Sequence, residues 1–162
     1  MSVYLIDNDA LIRMNYMPPG AFPSAWALLE KIATEGRLII CKAVWEEYTN
    51  DTYKPWFEAR KSIFLKDYSP EQFECLAAIG EYCGAFVDSA KPGNDADQPL
   101  VALAMAINDS SGGCFASGPA TVVTFEKRSQ QGSHKVKIPD ACDFFGIEAI
   151  DLYQMIEREG PI

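Results

Sequence analysis

The chain has 162 residues, 48% of them hydrophobic, which is enough for one compact domain with a substantial core and short of what two would need. Against 23 Asp and Glu stand only 14 Lys and Arg; the formal net charge of -9 excludes wholesale wrapping of nucleic acid by counterion release, so any polyanion must be met locally. The cysteines (Cys41, Cys75, Cys83, Cys114 and Cys142) are scattered, odd in number and without a Cys-x-x-Cys pair, which argues against a disulfide framework and a zinc site.

Val3 to Ile6 is a short continuous apolar run, the pattern of a strand buried on both faces in a parallel sheet covered by helices. Pro23 or Ser24 opens a helix over Ala25 to Thr34, with Trp26, Leu29 and Ile32 or Ala33 on one face and Gly36 closing it. Leu38 to Cys41 repeats the buried-strand pattern, and a helix from Ala43 onward follows. Ser69-Pro70-Glu71-Gln72 reads as a helix start with a Ser cap, Pro in the first turn and Gln as capping-box partner; Phe73, Leu76, Ala77 and Gly80 are its expected inward stripe, continuing to Cys83 or Gly84. Leu100, Leu103, Ala104 and Ile107 recur at helical spacing and predict a helix over Gln98 to Asn108. Thr121 to Thr124 is a further buried strand, Asp140 to Phe145 a short helix after Pro139, Ile147 to Ile150 a last strand, and Leu152 to Glu157 a last helix. Strand and helix alternate along one domain spanning 1–162, so the expected fold is a three-layer α/β/α sandwich with a mostly parallel central sheet. No basic leader with a long apolar core and no apolar run of about 18 residues is present, and the expectation is a soluble, cytoplasmic protein with no membrane association.

In an open parallel sheet, ligands collect at the carboxyl ends of the strands. Four acids are predicted to reach that edge. Asp7 ends the first strand and is read as a metal ligand, with a helix cap as the alternative, while Asn8 or Asp9 suits the cap. Glu47 shares the inward face of Val44 and Tyr48, whereas Glu46 turns to solvent; a carboxylate facing the core needs a cation or a buried ion pair. Asp97 stands three residues before Leu100 in a first turn, where the helix dipole alone also favours it, and Asp95 suits the cap. Glu126 follows the strand ending in Thr124; taken alone it is an ordinary turn acid. Together the four form an all-oxygen set that repels itself when empty, which suits Mg²⁺ or Mn²⁺ better than Zn²⁺.

The order of "YLIDNDALI", "AVWEEY", "ADQPLVALAMA", "TVVTFEKRS" and "KIPDACDFFGI" resembles the PIN-domain nucleases, and within them a bacterial PIN-like subgroup similar to VapC-type toxin ribonucleases, over nearly the whole chain. By motif, Asp7 matches the acid ending the first strand, Glu47 the helix glutamate and Asp97 the aspartate before the alanine-rich helix. Glu126 matches the final acid, where the family more often has Asp. The resemblance implies metal-dependent hydrolysis of RNA phosphodiester bonds, with Asp7, Glu47, Asp97 and Glu126 as catalytic metal-positioning groups and Thr124 in support through a hydrogen bond to a carboxylate or water. It also implies a toxin partnered by a small antitoxin protein, and a homodimer.

An RNA substrate needs cations. Lys127 to Lys137 carries Lys127, Arg128, His134, Lys135 and Lys137 without one acid, and reads as a flexible phosphate-binding loop or as a solvated surface loop. Tyr53, Trp56, Phe57, Ile63, Phe64 and Tyr68 suit either a partner surface or core packing. Two rivals remain: a non-catalytic PIN-like module binding RNA or protein, and a haloacid-dehalogenase-type phosphatase suggested by Asp7-x-Asp9, whose later motifs stand here in the wrong order.

Overall fold

A computed structural model describes residues 1–49, 52–82, 96–109, 118–133 and 136–160. Strand β1 (Val3–Ile6) leads into the short helix α1 (Asn8–Arg13) and a 3₁₀ turn (Met14–Tyr16), then helix α2 (Pro23–Thr34) and strand β2 (Leu38–Cys41). Helices α3 (Lys42–Glu47), α4 (Lys54–Glu58) and α5 (Lys61–Phe64) precede the two-residue strand β3 (Leu65–Lys66). Helices α6 (Pro70–Tyr82) and α7 (Asp97–Asp109) carry the chain back to strand β4 (Ala120–Val123), and α8 (Ile138–Phe144), β5 (Glu148–Ile150) and α9 (Leu152–Glu159) complete it.

All strand pairings are parallel, in the order β3-β2-β1-β4-β5, and the fold is a three-layer α/β/α sandwich. Every residue of β1, β2 and β4 is buried, which is why these segments read as unbroken apolar runs. The chain winds outward from β1 to β3 on one side and resumes with β4 on the other, so β1 and β4 flank the point where the strand order reverses. Gly36, at φ 70°, ends α2 in the left-handed conformation that only glycine adopts without cost, and turns the chain into β2. Among the described residues no helix is long and apolar enough to cross a membrane.

One expectation needs correction. The buried stripe of α6 is Gln72, Cys75 and Ile79 with Leu76 beside it, not a stripe led by Phe73, which is 56% exposed and stacks on Tyr68. Gln72 is polar yet buried because its side-chain amide donates to the Pro99 carbonyl of α7 at 2.8 Å, which shifts the face by one residue. Cys83 and Gly84 lie outside the described residues. The aromatic set beyond β2 is largely core: Phe57 and Phe64 are fully buried and meet edge-on, Trp56 meets Phe57 edge-on, and Tyr53 and Trp56 both meet Trp26 edge-on, leaving Ile63 as the exposed member. Burial also pushes the Cys41 and Cys142 thiols up to about 12, so both are inert packing groups.

At the amino edge of the sheet, Arg37 is 4% exposed and donates to both oxygens of Glu159 at 2.7 and 2.8 Å, while the Tyr4 hydroxyl donates to the same carboxylate. Arg37 thereby holds the Glu159 carboxyl down at about 2. A lowered folded pKa contributes stability that is complete above the ordinary value of 4.5 and lost as pH falls through about 2. Glu159→Gln is expected to cost about 2–3 kcal/mol at pH 7. In denaturant titrations the gap to the parent should narrow below pH 4.5; a gap independent of pH would exclude the ion pair as its source.

Candidate functional site

The carboxyl ends of β1 and β4 meet in one knot of hydrogen bonds. Asp7 directly follows β1, is 7% exposed, and caps α1 by accepting from the Asn8 amide at 2.7 Å. Its other oxygen accepts from the Thr124 hydroxyl at 2.9 Å. The Thr124 oxygen in turn accepts from the Glu126 amide at 3.1 Å. Asp9 reaches across to the same strand end and accepts from the Phe125 amide at 3.0 and 3.1 Å, its oxygens lying 3.3 and 3.4 Å from the Thr124 hydroxyl. The cap expected of Asn8 or Asp9 is therefore supplied by Asp7, whose extended backbone at the strand end is the geometry a cap requires.

A cleft of about 190 Å³ opens over this knot, lined by Asp7, Asn8, Asp9, Glu47, Asp97, Glu126 and Ile138. The four acids singled out in the sequence thus share one cleft, although they come from four separate segments. Glu47, half-buried at the end of α3, accepts from the Ala96 amide at 3.0 Å and so fixes the backbone immediately before Asp97. Exposed Glu46 points away, as the helical spacing predicts. Glu126 accepts from the Ile138 amide at 2.7 Å and lies 3.8 Å from the Lys137 ammonium. Asp9 and Asn8 were missed as site residues because each reads equally well as a cap; the usable signal was a second acid two positions after the strand-end aspartate. The Asn8 Oδ1 is buried and has no hydrogen-bond partner among the described residues.

Electrostatics sets this cleft apart. Burial, reinforced by the neighbouring charges of Asp9 and Asp97, holds the Asp7 carboxyl well above the usual carboxylate range despite the hydrogen bonds from Thr124 and Asn8. Burial also raises Glu126. Carboxyls raised by burial and gathered at a strand-order reversal make this cleft the candidate ligand site.

The basic loop is less free than its composition suggests. The Arg128 guanidinium donates to both oxygens of Asp143 at 2.6 and 2.8 Å, and the Ser129 hydroxyl and amide donate to Asp140. The loop is thereby tied to α8, a correction to the flexible cationic loop expected from its composition. Lys127 is exposed and makes no ion pair among the described residues. His134 and Lys135 lie outside the described residues, as does the cap expected at Asp95.

A family model described as "Domain of unknown function (DUF4411)" matches residues 4–161. The chain belongs to that family. No curated protein matches the sequence.

As donors for a cation, the cleft offers only oxygens, which suits a hard divalent ion. Among the described residues no group of three or more His, Cys, Asp or Glu side chains is arranged to hold a metal ion. Mg²⁺ retains several waters and binds through one or two carboxylates, so such a group is not a requirement for it. Were such an ion bound, the oxygens lining the cleft, those of Asp7 among them, would be its donors.

A raised folded pKa penalises the native state as pH climbs past the ordinary Asp value of 3.8, and the penalty persists at pH 7. Asp7→Asn is therefore expected to raise Tm in EDTA at pH 7 by about 2–4 °C for each kcal/mol relieved, with the gain vanishing below pH 3.8. Added Mg²⁺ should then stabilise the parent and not the variant. A variant that melts at or below the parent in EDTA at pH 7 would refute the strain ascribed to Asp7.

Proposed function

We propose that this protein is a Mg²⁺- or Mn²⁺-dependent endoribonuclease with a PIN-like site, hydrolysing RNA phosphodiester bonds. The observation that carries this reading is the convergence of Asp7, Glu47, Asp97 and Glu126 on one cleft where the strand order reverses. A bound divalent cation would neutralise phosphate charge and acidify water for attack. Asp7, with Glu47 and Asp97 beside it, would hold that cation. Thr124 orients the Asp7 carboxylate through its hydroxyl, and Asp9 fixes the strand end from which Glu126 projects. Glu126, raised by burial and lining the same cleft, would orient water on the phosphate. Lys127, exposed one residue further, supplies positive charge to the RNA backbone. No side-chain nucleophile is needed.

The likeness of the five motifs to VapC-type toxins extends the reading to the toxin half of a toxin-antitoxin pair, held by a small protein partner. A second reading, a non-catalytic binding module, draws on the amide hydrogen bonds that commit Glu47, Asp9 and Glu126 to the fold.

The deciding experiment compares cleavage of mixed tRNA and structured RNA by the parent and Asp7→Asn with Mg²⁺, Mn²⁺ or EDTA. Metal-dependent cutting should fall at least about a hundredfold in the variant. Calorimetry should show Mg²⁺ binding by the parent that the variant loses. Neither cutting nor metal binding by the parent would leave the non-catalytic module.

A further inference from the structure

Beside the carboxylate cleft runs a row of four π-bearing groups drawn from three separate parts of the chain. Arg13, at the end of α1, places its guanidinium over the Phe125 ring at 4.6 Å and the Tyr16 ring at 5.6 Å. Phe125 meets the Tyr153 ring of α9 edge-on at 5.3 Å. The two ends of the row are open, Tyr16 being 71% and Tyr153 49% exposed. Phe125 is anchored from the site itself, since its amide donates to Asp9, and its neighbours Thr124 and Glu126 belong to the knot and the cleft. A second hollow of about 250 Å³ joins the two regions, sharing Glu126 with the acidic cleft and lined also by Phe125, Lys127 and Gln154.

We propose that Tyr16, Arg13, Phe125 and Tyr153 form a stacking platform for unpaired bases of single-stranded RNA, seated beside the carboxylates that cut it. The proposal takes its ligand from the nuclease reading and adds to it the strandedness of the substrate. Charge argues for this occupant. The chain carries a net charge of -9, Arg128 is occupied by Asp143 and Lys137 lies near Glu126, so among the described residues near the cleft phosphate contacts are few. Affinity must then come from groups indifferent to that charge. Aromatic rings and a guanidinium plane stack on any base whose face is free, and only an unpaired strand offers such faces. Arg13 and Lys127 make no ion pair among the described residues and can each meet a phosphate or a base. Tyr16 and Tyr153 also lie far enough out to be replaced without opening the core.

The test measures fluorescence anisotropy of a labelled single-stranded 12-nucleotide RNA, and of the same RNA as a duplex, in EDTA. The proteins are the full chain, the Tyr16→Ala/Tyr153→Ala double variant and the Tyr16→Phe/Tyr153→Phe double variant. The alanine pair should weaken single-strand binding about ten- to a hundredfold, the phenylalanine pair should restore it, and the salt slope should not change. Equal binding by parent and alanine pair, equal loss in the phenylalanine pair, or failure of the parent to bind the single strand would each overturn the platform. Cleavage by the parent in Mg²⁺ separates the two proposals. A protein that binds through the rings without cutting leaves the platform standing and removes the nuclease; one that cuts regardless of the rings does the reverse.

Discussion

The hydroxyl of Thr124 holds the acidic edge together. It donates to the carboxylate that ends the central strand, accepts from the amide of Glu126, and lies against Asp9. Because β1 and β4 pair in register from Val3 with Ala120 to Ile6 with Val123, the next residue on each strand must meet its counterpart, and these are Asp7 and Thr124. A carboxylate so placed cannot reach bulk water, and a single hydroxyl and one amide do not offset the loss of hydration. Asp9 and Asp97 then arrive on helices whose positions the sheet already dictates. The geometry of the sheet thus concentrates negative charge at one place, and any ligand of the cleft must answer that charge.

The opposite edge of the same sheet solves the same problem in the other way. Arg37 is as buried as Asp7, but Glu159, Glu35 and the Ser2 carbonyl surround its guanidinium with acceptors. That network joins the first strand, the loop before the second and the last helix, closing the sandwich with the buried guanidinium held by two carboxylates. Opposite charges in contact at the amino edge serve stability, whereas the edge that crowds like charges is where a protein tolerates strain for a purpose. The contrast within one sheet makes burial alone a poor explanation of Asp7, since burial of Arg37 came with its partners.

Much of this was legible in the chain because periodicity and burial are coupled. β1 and β2 were bounded to the residue, since a parallel strand buried on both faces has no polar interruption. The four acids were found because each breaks such a run or faces a core-directed stripe. Errors arose wherever a polar side chain was satisfied across space. Gln72 hid the true face of α6 by bonding to a carbonyl 27 residues away, and Arg128 read as a free cation because nothing local announces Asp143 as its partner. The cap fell to Asp7 in place of Asn8 or Asp9 for a related reason: capping depends on the backbone angle at the strand end, which composition does not carry. β3 escaped notice because two residues are too few for any period to register.

An acidic protein meeting a polyanion is a contradiction only if the charge is averaged over the surface. With screening lengths near 8 Å at physiological ionic strength, an incoming strand responds to what lies within a few residues of the cleft. A cation seated among the carboxylates there would change the sign of the field that a phosphate meets. Among the described residues the nearby loop adds only Lys127 outright, since Arg128 and Lys137 face acids of their own. Seating of the scissile phosphate among the carboxylates would then be conditional on the metal, while on the proposed reading the row from Tyr16 to Tyr153 would grip bases with or without it. Separating the two forms of grip would let an acidic surface repel nucleic acid in general and still hold one unpaired strand at a single edge.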